Sequence, residues 1–277
     1  MLGESFLMKY CRYLLYGKVH YGAVEERGGD LWITGSAPAP AEDWAYLLSL
    51  AKAEPESIDF EPMLLNSVQL LTPVLPSKII CVGRNYRDHA RELGNDVPAE
   101  PLLFFKPPSS LLAPGGAIRL PALSERVDFE GELALVVGQR ARKLGSDADW
   151  RDVIRGVTLA NDVSARDLQK KDVQWARAKG FDTFCPVGPI VSDELDLDAG
   201  PTIETRVNGE LRQQGSTLDF IFSIRVLLSA ISAAFTLEPG DIILTGTPAG
   251  VGPLKPGDRV EVSIAGLGTL SNTVEAD

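Results

Sequence analysis

The chain has 277 residues, of which 44% are hydrophobic and 23% charged, the proportions of an ordinary globular protein. Its 27 basic and 38 acidic side chains give a formal net charge of −11 and leave no basic run that could neutralise phosphates, so nucleic acid is not expected as a partner. Because no stretch approaches the roughly 20 apolar residues of a membrane span and the first ten residues lack the pattern of a secretion signal, we expect a cytoplasmic protein without membrane contact.

The first part of the chain is predicted to form a small β lobe. Three short runs alternate in hydrophobicity as strands do, at residues 12–16, 20–24 and 31–34. A helical pattern follows at residues 41–53. Pro73 and Pro76 then flank the entry to the apolar run 77–83, which is predicted to be the first strand of a larger domain. The domain boundary is therefore expected near residue 75.

Beyond that boundary, strand patterns outnumber helical ones. They occur at residues 102–105, 129–137, 157–160, 241–245 and 259–264. The Asn-Gly pair within residues 207–210 predicts a hairpin turn, because these residues tolerate positive φ. Helices are predicted at residues 165–179 and 220–235. The expected architecture is mainly β, with a small N-terminal β lobe over residues 1–75 and the main domain over residues 76–277.

Cysteine and histidine are scarce in this sequence. Cys11, Cys81 and Cys185 are widely spaced and form no C-x-x-C pair, which argues against a disulfide framework and against a structural zinc site. We expect them to be small buried residues. The only histidines are His20 and His89. Any catalytic chemistry must therefore depend on carboxylates and at most one imidazole.

An acidic segment begins the predicted strand 129–137. Side chains at i, i+2 and i+4 of a strand point to one face, so Asp128, Glu130 and Glu132 are expected to crowd together. Acidic strands are often solvated edges, but the apolar continuation to Val137 is typical of a buried strand and places at least Glu132 near the interior. Crowded buried carboxylates repel each other or take up protons unless a cation lies between them. The all-oxygen donors favour Mg²⁺, Mn²⁺ or Ca²⁺ over zinc.

A third carboxylate is available where the apolar run 156–160 ends at Asn161 and Asp162. An acid at the end of a buried strand is well placed to bind a metal ion. Asp162 could equally be the N-cap of the helix predicted to follow it, because aspartate is a favoured capping residue. Both interpretations stay open from the residues alone.

The histidine His89 lies in a short helical pattern that ends at Gly94. On a helix, His89 and Glu92 share a face three residues apart, so the carboxylate can orient the imidazole and raise its basicity. The same spacing is common in surface pairs without a catalytic role. The spacing alone leaves that alternative open.

Taken together and in this order, the motifs resemble the fumarylacetoacetate hydrolase family in its smaller bacterial type. The matching motifs span about residues 78–275 and are weak singly but specific jointly: G-R-N-Y-x-x-H at 83–89 with Glu92, F-F-K-P at 104–107, D-x-E-x-E at 128–132, N-D-V-S-A-R-D at 161–167, K-G-F-D-T at 179–183 and T-G-T-P-A-G-V-G at 245–252. The resemblance implies an α+β, mainly β fold, the family's mixed β-sandwich roll, over residues 76–277. It also implies a small 2-oxo acid substrate and a homodimer.

The resemblance implies roles for individual residues. A divalent ion, Mg²⁺ or Mn²⁺, with Ca²⁺ also accommodated, is expected to bind to three acids, Glu130, Glu132 and Asp162. Catalytic roles are implied for a dyad that activates water and for a lysine that offsets developing negative charge, namely His89, Glu92 and Lys179. Substrate contacts are implied for Arg84, Gln169 and Thr247.

Other positions limit or extend the likeness. Asp128 is not expected to bind the metal, and Thr183 is expected to support the metal's surroundings through water. Relatives with a four-carboxylate site have an acid where this chain has Val82, so the three-carboxylate version is expected. Some relatives have an aromatic hydroxyl where this chain has Val173, which leaves the far end of the pocket undefined.

The implied site suits three reactions, and the residues do not choose among them. Hydrolysis would cleave an acylpyruvate such as fumarylpyruvate or acetylpyruvate, and decarboxylation would release CO₂ from oxaloacetate. Moving a proton alone would isomerise 2-hydroxyhepta-2,4-diene-1,7-dioate, an intermediate of aromatic-acid catabolism. Carbon–carbon cleavage is the first expectation and isomerisation the alternative. A metal-stabilised protein that binds without turnover is a further alternative, which the basic residues beside the acids argue against.

Overall fold

The structure is a computed structural model that describes residues 8–38, 60–92, 94, 96–145 and 147–277. The strands of these ranges are β1 (Lys9–Leu15), β2 (Lys18–Arg27), β3 (Asp30–Pro38), β4 (Met63–Leu64), β5 (Gln69–Leu71), β6 (Ile79–Gly83), β7 (Leu102–Lys106), β8 (Leu111–Leu112), β9 (Ala117–Leu120), β10 (Val127–Phe129), β11 (Gly131–Val137), β12 (Ile154–Asn161), β13 (Ser164–Ala165), β14 (Cys185–Ser192), β15 (Thr202–Val207), β16 (Glu210–Ser216), β17 (Ile242–Leu244), β18 (Gly252–Pro253), β19 (Arg259–Ile264) and β20 (Gly268–Ala276).

Helices are few and short by comparison. The α-helices of the described ranges are α1 (Arg87–Glu92), α2 (Arg166–Lys171), α3 (Ala176–Gly180) and α4 (Ile224–Ala234). Single 3₁₀ turns lie at Leu65–Ser67, Pro108–Ser110, Trp150–Asp152, Leu197–Ala199 and Thr217–Asp219. None of the helices in the described part of the chain has the length and apolarity needed to cross a membrane. The helix predicted at residues 41–53 lies outside the described residues.

The strands form three sheets, and the largest has 12 strands in the order β4-β3-β2-β1-β14-β12-β11-β17-β6-β7, with β5 on β1 and β8 on β14. A five-stranded sheet has the order β16-β15-β19-β20-β9, and a three-stranded sheet the order β13-β10-β18. The predicted α+β, mainly β architecture is confirmed. The N-terminal strands join the largest sheet through the pairing of β1 with β14. The domain boundary near residue 75 stays a prediction.

The central strand β11 is buried on both faces, as its apolar run predicts. Leu133 and Leu135 pack into a core that also contains residues of β19 and α4. Ala134 and Val136 face the other way, into a second core with residues of β6, β14 and β17. Because side chains alternate between two apolar layers, an acid on this strand must be buried as well.

The predicted strand 129–137 is wrong at Glu130, where the chain leaves one sheet and enters another. β10 pairs with β13 and β18, whereas β11 pairs with β12 and β17. At the change, the backbone N–H of Glu130 donates to Oδ1 of Asn161 at 2.9 Å, and the carbonyl of Glu130 accepts from the N–H of Asp162 at 2.8 Å. These local bonds replace the strand partners that Glu130 lacks.

The predicted helix 165–179 is also wrong in its continuity. The structure has two short helices, α2 and α3, with an extended residue, Asp172, at the C-cap of α2. The break turns the two helices so that Arg166 on α2 and Lys179 on α3 both point toward Glu130. The helix predicted at 220–235 and the hairpin at 207–210 are confirmed as α4 and the β15–β16 turn.

Gly131, between the two glutamates of the acidic segment, has no room for a side chain. A Cβ there would lie 2.0 Å from Oγ1 of Thr205 and 3.2 Å from both methyl groups of Val262. We expect Gly131→Ala to lower the free energy of unfolding by about 1–3 kcal/mol, because a methyl group is forced into a filled core. Urea unfolding of chelator-treated protein measures this change.

The matched control is Gly35→Ala on β3, where the nearest atom to a new Cβ is Cβ of Ala23 at 3.7 Å. This control should stay within about 0.5 kcal/mol of wild type. Equal stability of the two variants would contradict the packing described at Gly131.

Candidate active site

Three acidic side chains converge from the neighbouring strands β11 and β12. Glu130 immediately precedes β11, Glu132 is the second residue of β11, and Asp162 directly follows β12. β11 and β12 are antiparallel, and Glu132 lies opposite Ala160, so the acids meet at one end of the strand pair. One carboxylate oxygen from each acid lies within 4.8 Å of the others, and all three residues are buried.

Three buried cations surround two of these acids. Glu130 contacts Arg166 Nη2 at 2.5 Å and Lys179 Nζ at 2.8 Å. Asp162 contacts Lys179 Nζ at 2.6 Å and Lys106 Nζ at 2.6 Å. Burial alone would raise the pKa of Glu130, but the charges of Arg166 and Lys179 outweigh it and hold that pKa well below its usual range. Burial would lower the pKa of Lys179, yet the carboxylates of Asp162 and Glu130 raise it.

The third acid, Glu132, has no ion pair among the described residues, and one of its oxygens, Oε2, accepts the backbone N–H of Gly246 at 2.6 Å. Burial, together with the nearby carboxylates of Asp162 and Glu130, raises the pKa of Glu132 well above its usual value. The electrostatic repulsion of the cluster is therefore concentrated on Glu132.

A hard divalent ion fits this donor set. The ligand atoms are carboxylate oxygens only, the type that Mg²⁺, Mn²⁺ and Ca²⁺ prefer at ligand distances of about 2.0–2.6 Å. Oxygens that lie within 4.8 Å of one another can share one such ion. A cation at this position would also relieve the repulsion that raises the pKa of Glu132. The helix-capping alternative for Asp162 is not observed, because the N-cap of α2 is Ala165.

The histidine and glutamate of α1 form a hydrogen-bonded pair beside the acids. Nδ1 of His89 lies 3.3 Å from Oε2 of Glu92, whose carboxylate also accepts the backbone N–H of Gly250 at 3.1 and 3.2 Å. An ionised carboxylate can only accept, so Nδ1 of His89 carries the hydrogen, and in the neutral ring Nε2 keeps its lone pair. Burial lowers the pKa of His89 below its usual 6.5, which favours this neutral form.

The acids and the histidine line one cavity of about 350 Å³. Every predicted site residue except Glu92 lines it, and Glu92 contacts the cavity residue His89. The cavity is also lined by Phe104, Trp175 and Arg166. The structure thus brings together the metal-binding, catalytic and substrate-binding residues that the resemblance implies.

The implied substrate contacts differ in how free their polar groups are. Gln169 already accepts a hydrogen bond from Nη1 of Arg166 at 3.0 Å. The hydroxyl of Thr247 donates to the carbonyl of Gly131 at 2.8 Å and accepts from Nε2 of Gln213 at 2.8 Å. Arg84 makes no hydrogen bond or ion pair with the described residues, so its guanidinium is the group most available to a ligand.

The backbone of Arg84 is left-handed, with a φ of 56° that a non-glycine residue adopts only at a cost. The next residue, Asn85, is fully buried and locks this conformation. Its amide donates to the carbonyl of Thr245 at 2.8 Å and accepts the N–H of Phe222 at 2.8 Å. The strained turn thereby holds Arg84 in the cavity wall.

Asp128 and Thr183 are not among the residues that line the cavity. Asp128 pairs with Nε of Arg166 at 2.9 Å and with Nε of Arg126 at 2.9 Å, and Arg166 also contacts Glu130. The prediction that Asp128 crowds together with both Glu130 and Glu132 is wrong, because the acids whose oxygens converge are Glu130, Glu132 and Asp162. The change of sheet at Glu130 breaks the alternation on which that prediction depended. Oγ1 of Thr183 accepts the backbone N–H of Arg119 at 2.9 Å.

The positions that depart from the family pattern are also resolved. Val82 lines the cavity, so no fourth acid is available there. Val173 is fully exposed and is not part of the cavity wall. Trp175, two residues later, takes a place in that wall and meets Phe104 edge to face at 5.3 Å.

Sequence reasoning assigned no role to Lys106 or Arg166. Both lie within motifs that carried the resemblance, F-F-K-P and N-D-V-S-A-R-D. A lysine that ends the apolar run of β7 was the available signal, because a lysine is almost never fully buried without a partner. Its partner Asp162 is 56 residues away, which the sequence pattern does not show.

The sequence is similar to a known family and to its members. Residues 78–275 match the family model described as fumarylacetoacetate (FAA) hydrolase C-terminal. Oxaloacetate tautomerase YisK of Bacillus subtilis is 43% identical over 224 residues, which cover 76% of this chain and 75% of that protein.

Solved structures share the fold over nearly the whole chain. The 2-hydroxyhepta-2,4-diene-1,7-dioate isomerase from Mycobacterium marinum has 39% sequence identity and a TM-score of 0.82, with coverage of 98% of this chain and 99% of that chain. The fumarylacetoacetate hydrolase from psychrophilic Exiguobacterium antarcticum also has 39% identity and a TM-score of 0.82, with coverage of 98% and 100%.

The raised pKa of Glu132 gives a stability change with a defined sign. In metal-free protein, the Glu132 carboxyl has a higher pKa in the folded state than its unfolded value of 4.5. The stability of the folded state is therefore fully present below pH 4.5 and falls as the pH rises toward the folded-state pKa. Glu132→Gln removes that loss, so we expect the variant to gain about 1 kcal/mol or more relative to wild type between pH 5 and pH 8. Urea unfolding in chelator at both pH values measures it.

The control is Glu210→Gln at an exposed position of β16. Its free energy of unfolding should differ from that of wild type by the same amount at both pH values. Saturating Mn²⁺ should reverse the order and favour wild type, because a ligand stabilises the form that binds it. A Glu132→Gln difference that is the same at pH 5 and pH 8 would contradict the repulsion described for Glu132.

Proposed function

Because this chain belongs to the fumarylacetoacetate hydrolase family, we propose that it is a divalent-metal-dependent enzyme that moves a proton beside the keto group of a small 2-oxo dicarboxylic acid. The single observation that carries the proposal is that three buried carboxylates, a buried lysine and a buried histidine share one cavity. Tautomerisation or isomerisation ranks first, the reverse of the order expected from the sequence, because the named relatives include an oxaloacetate tautomerase and a dienedioate isomerase.

We propose Mg²⁺ or Mn²⁺ as the ion, with Glu130, Glu132 and Asp162 as its protein ligands. When bound, it supplies Lewis-acid polarisation of the keto oxygen, which acidifies the neighbouring C–H. The ammonium group of Lys179, held between Glu130 and Asp162, adds a fixed positive charge beside the oxygen on which negative charge develops.

The charges of the cavity favour an anionic substrate. The three acids are matched in number by the buried cations Lys106, Arg166 and Lys179. Asp128 also pairs with Arg166, but its charge is offset by Arg126, so a divalent ion would leave a positive excess. The guanidinium of Arg84 adds to that excess from the wall, and Gln169 offers an amide N–H. A cavity of about 350 Å³ is in the range that encloses a small organic ligand.

His89 is the proposed proton carrier. Its neutral form, with the hydrogen on Nδ1 toward Glu92, presents Nε2 as the base that takes a proton from carbon and returns it elsewhere on the substrate. Glu92 holds the ring in that tautomer and stabilises the imidazolium that forms. Burial favours the neutral resting form because it lowers the pKa of His89.

Carbon–carbon cleavage is the second candidate, and the His89–Glu92 hydrogen bond is the observation that favours it. The same pair that moves a proton to carbon can take one from water, and the resulting hydroxide equivalent would attack a distal carbonyl of an acylpyruvate. A relative of the same fold is named a fumarylacetoacetate hydrolase. The oligomeric state, expected to be a homodimer, stays a prediction.

A substrate panel with His89→Gln tests the proposal. With Mn²⁺, wild-type protein should convert the enol of oxaloacetate to the keto form, and the loss of enol absorbance measures this reaction. Chelator should abolish the activity. His89→Gln should lower kcat by about 10²–10⁴-fold, because it removes the base. Its Mn²⁺ affinity should stay within about threefold of wild type, since His89 is not a proposed ligand.

The control variant is His20→Gln, which changes the other histidine, on β2 and outside the cavity. Product analysis with acetylpyruvate and 2-hydroxyhepta-2,4-diene-1,7-dioate separates the candidates, because only cleavage releases pyruvate and acetate from acetylpyruvate. Undiminished turnover after chelation, or after His89→Gln, would contradict the proposal.

A further inference from the structure

One loop contacts both halves of the site. Residues 245–250 follow β17, and the backbone N–H of Gly246 donates to Oε2 of Glu132 at 2.6 Å. Four residues later, the N–H of Gly250 donates to the carboxylate of Glu92 at 3.1 and 3.2 Å. The loop therefore sets the position of an acid of the cluster and of the acid that orients His89.

The conformation of this loop depends on glycine at both contact points. Gly246 has a φ of 98° and Gly250 a φ of 104°, values that L side chains rarely adopt. A Cβ on Gly250 would also lie 2.0 Å from the carbonyl oxygen of Arg212 on β16. The loop therefore packs closely against β16, and its position depends on contacts with the residues of that strand.

β16 offers the side chain of Gln213, which is 1% exposed and does not line the cavity. Its Oε1 accepts the backbone N–H of Gly131 at 3.0 Å. Its Nε2 donates to Oγ1 of Thr247 at 2.8 Å and to the carbonyl of Pro248 at 2.7 Å. The hydroxyl of Thr247 in turn donates to the carbonyl of Gly131 at 2.8 Å.

The change of sheet at Glu130 explains why this amide is needed. Gly131 lies between two acids of the cluster, and its N–H points to Gln213 on another sheet instead of to a neighbouring strand. A buried N–H without an acceptor costs about 1–3 kcal/mol, so the local chain would shift if the acceptor were removed. Such a shift would move Glu130 and Glu132, which flank Gly131.

We infer that Gln213 is a positioning residue that couples the acid cluster to the His89–Glu92 pair. Its Oε1 fixes the chain between Glu130 and Glu132. Its Nε2 fixes the loop whose backbone N–H groups donate to Glu132 and Glu92. The inference rests on the proposed function, since it treats the acids as metal ligands. Gln213 itself does not line the cavity, so its proposed effect is indirect.

Gln213→Leu removes all three hydrogen bonds and keeps a side chain of similar size. We expect Mn²⁺ affinity, measured by titration calorimetry, to fall by about 10- to 100-fold, the usual effect of losing a residue that orients metal ligands. The matched control is Asn272→Leu, which removes a buried amide that donates to the carbonyls of Ala113 and Gly116; these three residues do not line the cavity. It should lose stability but keep the Mn²⁺ dissociation constant within about threefold.

A double-mutant cycle with Glu92→Gln gives a readout that a merely structural role would not change. If Gln213 acts on catalysis through the loop that holds Glu92, the two kcat losses are not independent. The double variant should then lose clearly less than the product of the two single losses. Single losses in kcat that simply multiply would overturn the inference.

Two further outcomes are distinguishable. If wild-type protein binds no Mn²⁺, both the proposed function and this inference are overturned. If Gln213→Leu binds Mn²⁺ as tightly as wild type does, only the inference is overturned. If Gln213→Leu does not fold, Gln213→Glu keeps an acceptor for Gly131 but has no N–H for Thr247 and Pro248. Mn²⁺ affinity weakened by about threefold or more in that variant supports the inference, and unchanged affinity overturns it.

Discussion

Three carboxylates buried within 4.8 Å of one another require compensating positive charge, and the surrounding structure supplies most of it. The cations come from β7, α2 and α3, which lie outside the strand pair that carries the acids. The break between α2 and α3 is what lets both helices present a cation to Glu130. Glu132 has no such cation, and burial together with repulsion from the other two acids raises its pKa. A divalent ion would relieve this repulsion.

The local irregularities of the chain lie beside the same acids. The change of sheet at Glu130 leaves the backbone N–H groups of Glu130 and Gly131 without partners on a neighbouring strand. Asn161 accepts the N–H of Glu130, and Gln213 accepts that of Gly131. The glycine-rich loop after β17 then reaches both Glu132 and Glu92. Two buried side-chain amides and two glycines with positive φ, Gly246 and Gly250, therefore support the acids and the His89–Glu92 pair.

Much of the fold and of the site was predictable because the relevant patterns are local. Apolar runs located β11 and β19, the Asn-Gly pair located the β15–β16 hairpin, and acids at the ends of apolar runs indicated the cluster. The break at Glu130 and the partner of Asp128 were not predictable, since strand periodicity does not show where a chain changes sheets. Lys106 and Gln213 were missed because their partners lie 56 and 82 residues away in sequence.

We propose that the three converging acids bind one hard cation in the cavity. Crystals grown with Mn²⁺ and measured at the manganese absorption edge test it most directly. We expect one anomalous peak at about 2.0–2.6 Å from an oxygen of each of three residues, Glu130, Glu132 and Asp162. An ordered crystal with no peak at these acids, or with the ion held elsewhere while they stay paired only with lysine and arginine, would contradict the claim.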